Sequence, residues 1–309
     1  MTPRLTVNSF TMNRRHWLYT TTLAALPVFS HAQKAPKGSK AAKKGKIDTP
    51  PPTGAPLQKA DISAFPEGTD HLDVYLLIGQ SNMKGRGTMP EVPLADPKII
   101  AMNLKNDQWY LARHPLHLTG DPETFAGHDN AGVGSGLSFA QAMQKADATA
   151  RIGLVPCAVG GTPIRRWVKG ADLYENAIRR AKLALAAGPA GKTKIKGAIW
   201  LQGEADATPA GLPVYEEKLL SLVDSLRADL AEPDLPFIAC TIGEFRQDAG
   251  SANRTAMNTI LLGLTQKRPH TGCVSATDLK GHIGDFVHYD TASQNEIGER
   301  FALLMLKDR

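Results

Sequence analysis

At 309 residues, 42% of them hydrophobic and 21% charged, the chain is long enough to bury a full core and suits one large domain or two small ones. Its net charge of +6 is made at one end: residues 1–60 carry ten Lys/Arg against the single acid Asp48, whereas residues 61–309 carry 26 against 29 Asp/Glu. A nucleic-acid footprint needs its basic residues clustered on the folded domain, so this distribution argues against a nucleic-acid partner.

In chain order, the first feature reads as an address. Residues 12–18 (MNRRHWL) give a charged n-region, 18–29 an apolar h-region, and Ser30-His31-Ala32 a small-residue cleavage site. Residues 1–32 are therefore expected to be a signal peptide, with Met12 as an alternative start and a mature chain from near Gln33. Arg14 and Arg15 with Trp17 and Leu18 resemble a twin-arginine signal, although Tyr19 stands where such signals often have lysine. The h-region is too short to cross a membrane, and no later segment reaches about 18 apolar residues. Six lysines between Lys34 and Lys46, then Pro50, Pro51, Pro52 and Pro56, with hardly a large apolar residue among them, make 33–66 a basic linker. The expectation is an exported protein, periplasmic or extracellular, whose folded domain spans 67–309.

Within that domain five apolar runs, at 74–78, 152–159, 195–201, 236–242 and 272–276, read as strands. Between them, residues 137–146, 173–187 and 215–230 place apolar residues at three- and four-residue spacing, as helices do. Strands separated by amphipathic helices predict an α/β fold with a mainly parallel five-stranded sheet covered on both faces. A last helix is expected from Thr291, whose hydroxyl caps while Gln294 answers three residues later, presenting Ile297, Phe301, Leu304 and Met305 to the core. The connection from 84 to 130 is long, irregular and rich in His, Pro, Gly and Asp, with Trp109 and Tyr110 in an extended segment. A loop of that length in a compact domain is usually functional or disordered, and the aromatics favour function. Cys157, Cys240 and Cys273 are odd in number, sit in apolar runs and form neither CxxC nor a Cys/His metal pattern, so buried thiols are expected.

The chemistry should lie where the strands end, because a parallel sheet gathers those ends along one edge. After the first run comes Gly79-Gln80-Ser81-Asn82-Met83, after the second Gly160-Gly161-Thr162, after the third Gln202-Gly203-Glu204, and after the fifth, in a loop, Asp285-Phe286-Val287-His288. Ser81 or Asn82 can serve simply as a helix N-cap. Taken together, though, the segments are complementary. A serine hydroxyl needs a base to take its proton, and a histidine does so best with a carboxylate on its far nitrogen. Asp285 and His288, three apart, can make that bond within one turn. Glycines at 160 and 161 let backbone N–H groups approach a ligand, and Gln202 adds a side-chain donor, the makings of an oxyanion hole.

The blocks GQSNMKGRG (79–87), VPCAVGGTPIRRW (155–167), WLQGEADA (200–207) and DFVHYDTAS (285–293) resemble the successive blocks of the SGNH hydrolases. Within them the chain is most similar to carbohydrate esterase family six, the acetyl xylan esterase and sialate O-acetylesterase-like group, from about residue 72 to 306. The resemblance implies a flavodoxin-like three-layer α/β/α domain, with Ser81 as nucleophile, His288 as base and Asp285 as its orienting acid. It also implies an oxyanion hole formed by the Ser81 amide, the Gly161 amide and the Gln202 side chain, with Gln80, Asn82, Gly160, Thr162, Glu204 and Trp167 supporting the site or touching substrate. The block-three asparagine of the wider superfamily is absent, and QGE at 202–204 stands in its place. The substrate implied is an acetylated carbohydrate, either a polysaccharide such as acetylated xylan or an O-acetylated sialic acid; no cofactor and no metal are implied.

Other readings stay open at this point. A general or lipid ester hydrolase of the same superfamily would differ by a larger apolar pocket, and a non-catalytic carbohydrate-binding relative would have no need of serine, histidine and aspartate together. Gly191-Lys192-Thr193 resembles a phosphate loop, but it precedes a strand where such a loop follows one, and Ala186 stands in the place of its first glycine. His282, Asp285 and His288 are a candidate metal set that would leave Ser81 unexplained. Glu204 reads as a buried partner for backbone N–H groups ahead of a catalyst, and Trp167 with Arg165 and Arg166 reads equally as substrate wall or as packing.

Overall fold

The computed structural model describes residues 56–89 and 96–308, so the expected signal peptide and the linker as far as residue 55 lie outside the described residues. In chain order the elements are β1 (His71–Gly79), α1 (Ser81–Lys84), β2 (Ile99–Met102), β3 (Trp109–Leu111), α2 (Gly136–Ala146), β4 (Ala150–Pro156), a 3-10 turn (Ile164–Arg166), α3 (Asp172–Ala187), β5 (Thr193–Leu201), α4 (Leu212–Leu230), β6 (Phe237–Cys240), α5 (Ser251–Leu262), α6 (Leu264–Lys267), β7 (Thr271–Val274) and α7 (Thr291–Lys307).

β1 is buried at all but its first residue, which suits a strand covered on both faces. It occupies the middle of a seven-stranded sheet of order β3-β2-β4-β1-β5-β6-β7, pairing parallel with β4 and β5. The pleat divides its side chains between two cores. Val74, Leu76 and Ile78 pack among residues of α3, α4 and α5, including Tyr174, Leu222 and Leu261, while Tyr75 and Leu77 face Phe139 and Met143 of α2 and Phe301 and Met305 of α7. Burial of each such side chain stabilises the fold by about 1.5–3 kcal/mol. The three layers are therefore helix, sheet and helix, as expected.

The sheet has two strands more than the five read from the sequence. β2 and β3 both fall inside the connection expected to be irregular, and β3 runs antiparallel to β2 at the sheet edge, pairing Trp109 with Met102. At four and three residues they are too short to show a period, and only the aromatic pair Trp109 and Tyr110 marked the place. α5 was also unread: its sequence SANRTAMNTILL buries only Met257, Asn258 and Leu261.

The last part of the expected linker is packed on the domain, which therefore starts before residue 67. Lys59 bridges Tyr110, the Leu57 N–H donates to the Pro122 carbonyl, and Ile62 is buried in the core. Arg151 Nη1 donates to the Asp61 and Ala64 carbonyls at 2.6 Å each.

α7 begins at Thr291 as expected, but its cap is Asp290, whose carboxylate accepts from the Ser293 N–H at 2.9 Å. Thr291 Oγ1 instead donates to the Thr88 carbonyl, and Gln294 Nε2 to the Asn82 carbonyl at 2.9 Å. The residues read as a capping box thus reach back to the turn after β1.

Candidate active site

β1 ends against β5 at a point where no side chain fits. Gly79 has φ +135°, and a Cβ there would meet the Leu201 carbonyl oxygen at 2.3 Å, so glycine is required for the two strand ends to converge. The Gln80 N–H closes the junction on the same carbonyl at 3.0 Å. The chain then turns into α1, which starts at Ser81; Gln80 is its N-cap position and no side-chain cap bond forms, so Ser81 has no capping duty.

Ser81 Oγ lies 2.9 Å from His288 Nε2, and His288 Nδ1 lies 2.5 Å from Asp285 Oδ2. The Asp285–His288 turn is fixed from within: Asp285 Oδ1 accepts from the N–H groups of Val287 and His288 at 2.9 Å each, and Phe286 between them adopts φ +59°. Burial tends to raise the Asp285 carboxyl's pKa, but the His288 N–H, the imidazole and the Val287 N–H together outweigh it and hold the group below its usual value of 3.8. It is thus a carboxylate wherever the imidazole needs a partner. A hydroxyl, an imidazole and a carboxylate bonded in series can pass a proton from the hydroxyl to the ring while the carboxylate steadies the resulting charge.

A cavity of about 680 Å³ opens on this serine, lined by Gln80, Ser81, Gly160, Gly161, Glu204, Val287 and His288, with Lys84, Arg86, Asp129 and Asn130 along another wall. Gly161 has φ +70°, and nothing lies within 4 Å of where its Cβ would stand, so the turn exposes bare backbone to the cavity. Among the described residues no protein acceptor takes the N–H of Ser81, Gly160 or Gly161. All three residues line the cavity.

Asn82 is fully buried and holds the two loops together: its Nδ2 donates to Glu204 Oε1 and the Val287 carbonyl, and its Oδ1 accepts from the Tyr289 N–H. Glu204 lines the cavity, but its Oε2 is closed off from water without a partner, and burial pushes its pKa above the usual 4.5.

Other expected site residues fall elsewhere. Gln202 is fully buried and does not line the cavity; its Nε2 donates to Asp206 Oδ2 at 2.6 Å, the Thr162 carbonyl at 3.1 Å and Gln80 Oε1 at 3.2 Å, and its Oε1 accepts from the Tyr215 hydroxyl. Its amide hydrogens are thus spent on the protein, and the expected oxyanion contact is not formed. Thr162 Oγ1 donates to the Val159 carbonyl and accepts from Trp167 Nε1, so it braces the turn from inside. Trp167 is buried edge-on against Trp200 with ring centroids 5.5 Å apart, which makes it packing and not a substrate wall. Arg166 pairs with Asp172 on the surface.

His282 stands apart from the His288–Asp285 pair. Its ring packs against Phe245 and Phe286, and its Nδ1 accepts from the Gly284 N–H. Lys84, Arg86, Asp129 and Asn130 went unread as a group, because the cavity wall they form joins the first block to a loop some 45 residues later; Lys84 pairs with Asp129, and Arg86 Nη1 donates to the Asn130 carbonyl at 2.7 Å. Lys84 and Arg86 stand within the quoted block GQSNMKGRG, and that was the only available signal.

This fold and site define a hydrolase of the SGNH type, and comparison with known proteins narrows the class. Residues 71–307 match the family described as carbohydrate esterase, sialic acid-specific acetylesterase, and the chain belongs to that family; it is a carboxylic ester hydrolase. A curated Arabidopsis thaliana protein named "Probable carbohydrate esterase" is 32% identical over 252 residues, covering 76% of this chain and 90% of the relative. The X-ray structure of the same plant protein superimposes with a TM-score of 0.66, covering 77% of this chain and 99% of the other. NanS shares the fold at a TM-score of 0.61 and 18% identity, over 77% of this chain and 98% of that one. A carbohydrate acetylesterase from Xanthomonas citri shares it at 0.53 and 21%, over 75% and 55%.

Proposed function

We propose that the chain removes O-acetyl groups from a carbohydrate by a serine, acyl-enzyme route. The observation that carries this is the unbroken series Ser81 Oγ, His288 Nε2, His288 Nδ1, Asp285 Oδ2, with contacts of 2.9 and 2.5 Å at the mouth of a cavity. Ser81 Oγ attacks the acetyl carbonyl carbon as its proton passes to His288 Nε2, and the carbonyl oxygen takes the negative charge. That oxyanion accepts from the N–H groups of Ser81 and Gly161. The tetrahedral intermediate then collapses, the sugar oxygen leaves with the proton from His288, and an acetyl-serine remains. Water repeats the sequence: His288 takes its proton, the hydroxide oxygen bonds the acetyl carbon, and Ser81 leaves with the proton as acetic acid departs.

Within the acetylated sugars, the cationic wall favours an acidic one such as an O-acetylated sialic acid. Arg86 lines the cavity and makes no ion pair among the described residues, whereas Lys84 beside it is paired with Asp129. Arg86 Nη1 is held by the Asn130 carbonyl, which leaves Nε and Nη2 for a carboxylate, and such a contact suits a sugar acid better than neutral xylan.

The test is acetate release from O-acetylated sialic acid, acetylated xylan and aryl acetates and longer aryl esters, for the wild type and for Ser81→Ala. A fall in kcat of roughly 10³-fold or more with an unchanged melting temperature is expected for the variant. Near-normal turnover in Ser81→Ala would remove the serine from the mechanism, and preference for long acyl chains would favour a lipid or general esterase instead.

A further inference from the structure

Phe286, at 46%, is the only exposed aromatic side chain among the described residues, and it stands one position after Asp285 and two before His288. Its backbone makes the residue type costly. A φ of +59° is ordinary for glycine or asparagine and rare for a bulky side chain, and an exposed ring recovers little by burial. Neither backbone preference nor core packing accounts for a phenyl ring here. The ring is nonetheless held in place: His282 lies against it at a centroid distance of 4.3 Å, Phe245 backs His282 at 5.4 Å, and the buried Tyr289 meets Phe245 edge-on at 4.9 Å. The hairpin that carries it is tied by the bridge between His282 and Tyr289 and by the Ile283 N–H, which donates to the His288 carbonyl at 3.1 Å. Val287 and His288 line the cavity and Phe286 does not, so the ring stands just outside it.

We propose that Phe286 is a platform for a second sugar ring, the unit joined to the one whose acetyl group is presented to Ser81. A pyranose has faces of C–H groups and a rim of hydroxyls. The negative face of an aromatic ring attracts those C–H groups, while the hydroxyls stay in water. The other exposed large apolar side chains are Val159, which lines the cavity, and Leu183, Val214, Leu262 and Leu303, which lie on α3, α4, α5 and α7. Phe286 is thus one flat face and not the contiguous apolar patch that a protein partner or a lipid chain needs.

This rests on the carbohydrate-deacetylation reading, and the experiment separates the two. KM is measured for wild type, Phe286→Asn and Phe286→Tyr on 4-nitrophenyl acetate, on O-acetylated sialic acid free and linked to lactose, and on acetylated xylose and acetylated xylotriose. Asparagine accepts the left-handed backbone without the ring, and tyrosine keeps the ring. On the linked member of whichever sugar pair the wild type hydrolyses, Phe286→Asn should raise KM about three- to tenfold beyond its effect on the free member and on 4-nitrophenyl acetate. Phe286→Tyr should restore the wild-type ratio. A ratio of KM values on one preparation does not depend on the fraction folded. A ratio unchanged in Phe286→Asn, or lost equally in Phe286→Tyr, would overturn the platform and leave the deacetylation reading in place. Wild-type protein silent on every acetylated sugar would overturn that reading and the platform with it, whatever it does to 4-nitrophenyl acetate.

Discussion

Asn82 Nδ2 donates to Glu204 Oε1 at 2.5 Å, joining the turn after β1 to the turn after β5 across 122 positions of sequence. The same amide reaches the Val287 carbonyl at 3.1 Å, and its oxygen takes the Tyr289 N–H at 3.1 Å, so the residues on either side of His288 are anchored to the residue after Ser81. The spacing of Ser81 and His288 is therefore braced by a buried amide. Asn82→Ala is expected to lose about 2–3 kcal/mol of stability from stranded buried partners. It should also lose kcat by roughly tenfold or more, since displacement of a reacting group by about 1 Å costs up to 10²-fold. Thermal melting and kcat measured on one preparation check both effects; unchanged kcat would release Asn82 from the positioning role.

Asp285 should matter for rate and for acid stability. Asp285→Asn keeps the shape of the turn but offers His288 Nδ1 an amide, and kcat is expected to fall by about 10⁴-fold. Because the carboxyl is held below 3.8, it contributes stability that is present above that pH and lost as the pH falls through the folded value. Melting of the variant and the wild type should therefore converge below about pH 3.8. A gap between them that is constant from pH 3 to pH 7 would contradict this.

Glu204 carries the opposite sign. Its folded pKa lies above 4.5, so the folded chain favours the protonated acid more than the unfolded chain does, and the stability this provides is full below 4.5 and lost as the pH rises through the folded value. Glu204→Gln keeps an oxygen for Asn82 and cannot ionise. Its melting temperature relative to wild type is expected to rise between pH 4 and pH 8; a flat or falling difference over that range would show that the buried carboxylate carries no penalty.

Gln202→Ala should behave as a scaffold lesion first. It leaves the Thr162 carbonyl without its donor and takes one partner each from the Asp206 carboxylate, the Tyr215 hydroxyl and Gln80 Oε1, which keep the Ile164 N–H, the backbone carbonyl of residue 202 and the Ala205 N–H. At about 1–3 kcal/mol for a buried group left without its partner, a loss of that size or more is expected in a denaturant titration. A melting curve like that of wild type would show that water or rearrangement replaces these bonds.

The sequence alone determined the alternation of strands and helices and the grouping of Ser81, Asp285 and His288. The cause in each case is local. Val74 to Ile78 are apolar without a break because a strand covered on both faces has no polar side, and a serine route demands particular residue types in particular blocks. Only the tertiary structure decided what the amides do. Gln80, Asn82 and Gln202 look alike as residue types, and each can donate and accept, so their roles depend on which end meets which partner. Those partners lie far off in the chain: 122 positions separate Gln202 from Gln80, and 40 separate it from Thr162. Trp167 likewise became packing because Trp200 fills the space beside it, and Thr291 lost its capping role because Asp290 reaches the Ser293 N–H. Residue type constrains which bonds a side chain is able to make; the fold selects among them, because an amide turns to whichever buried donors and acceptors surround it.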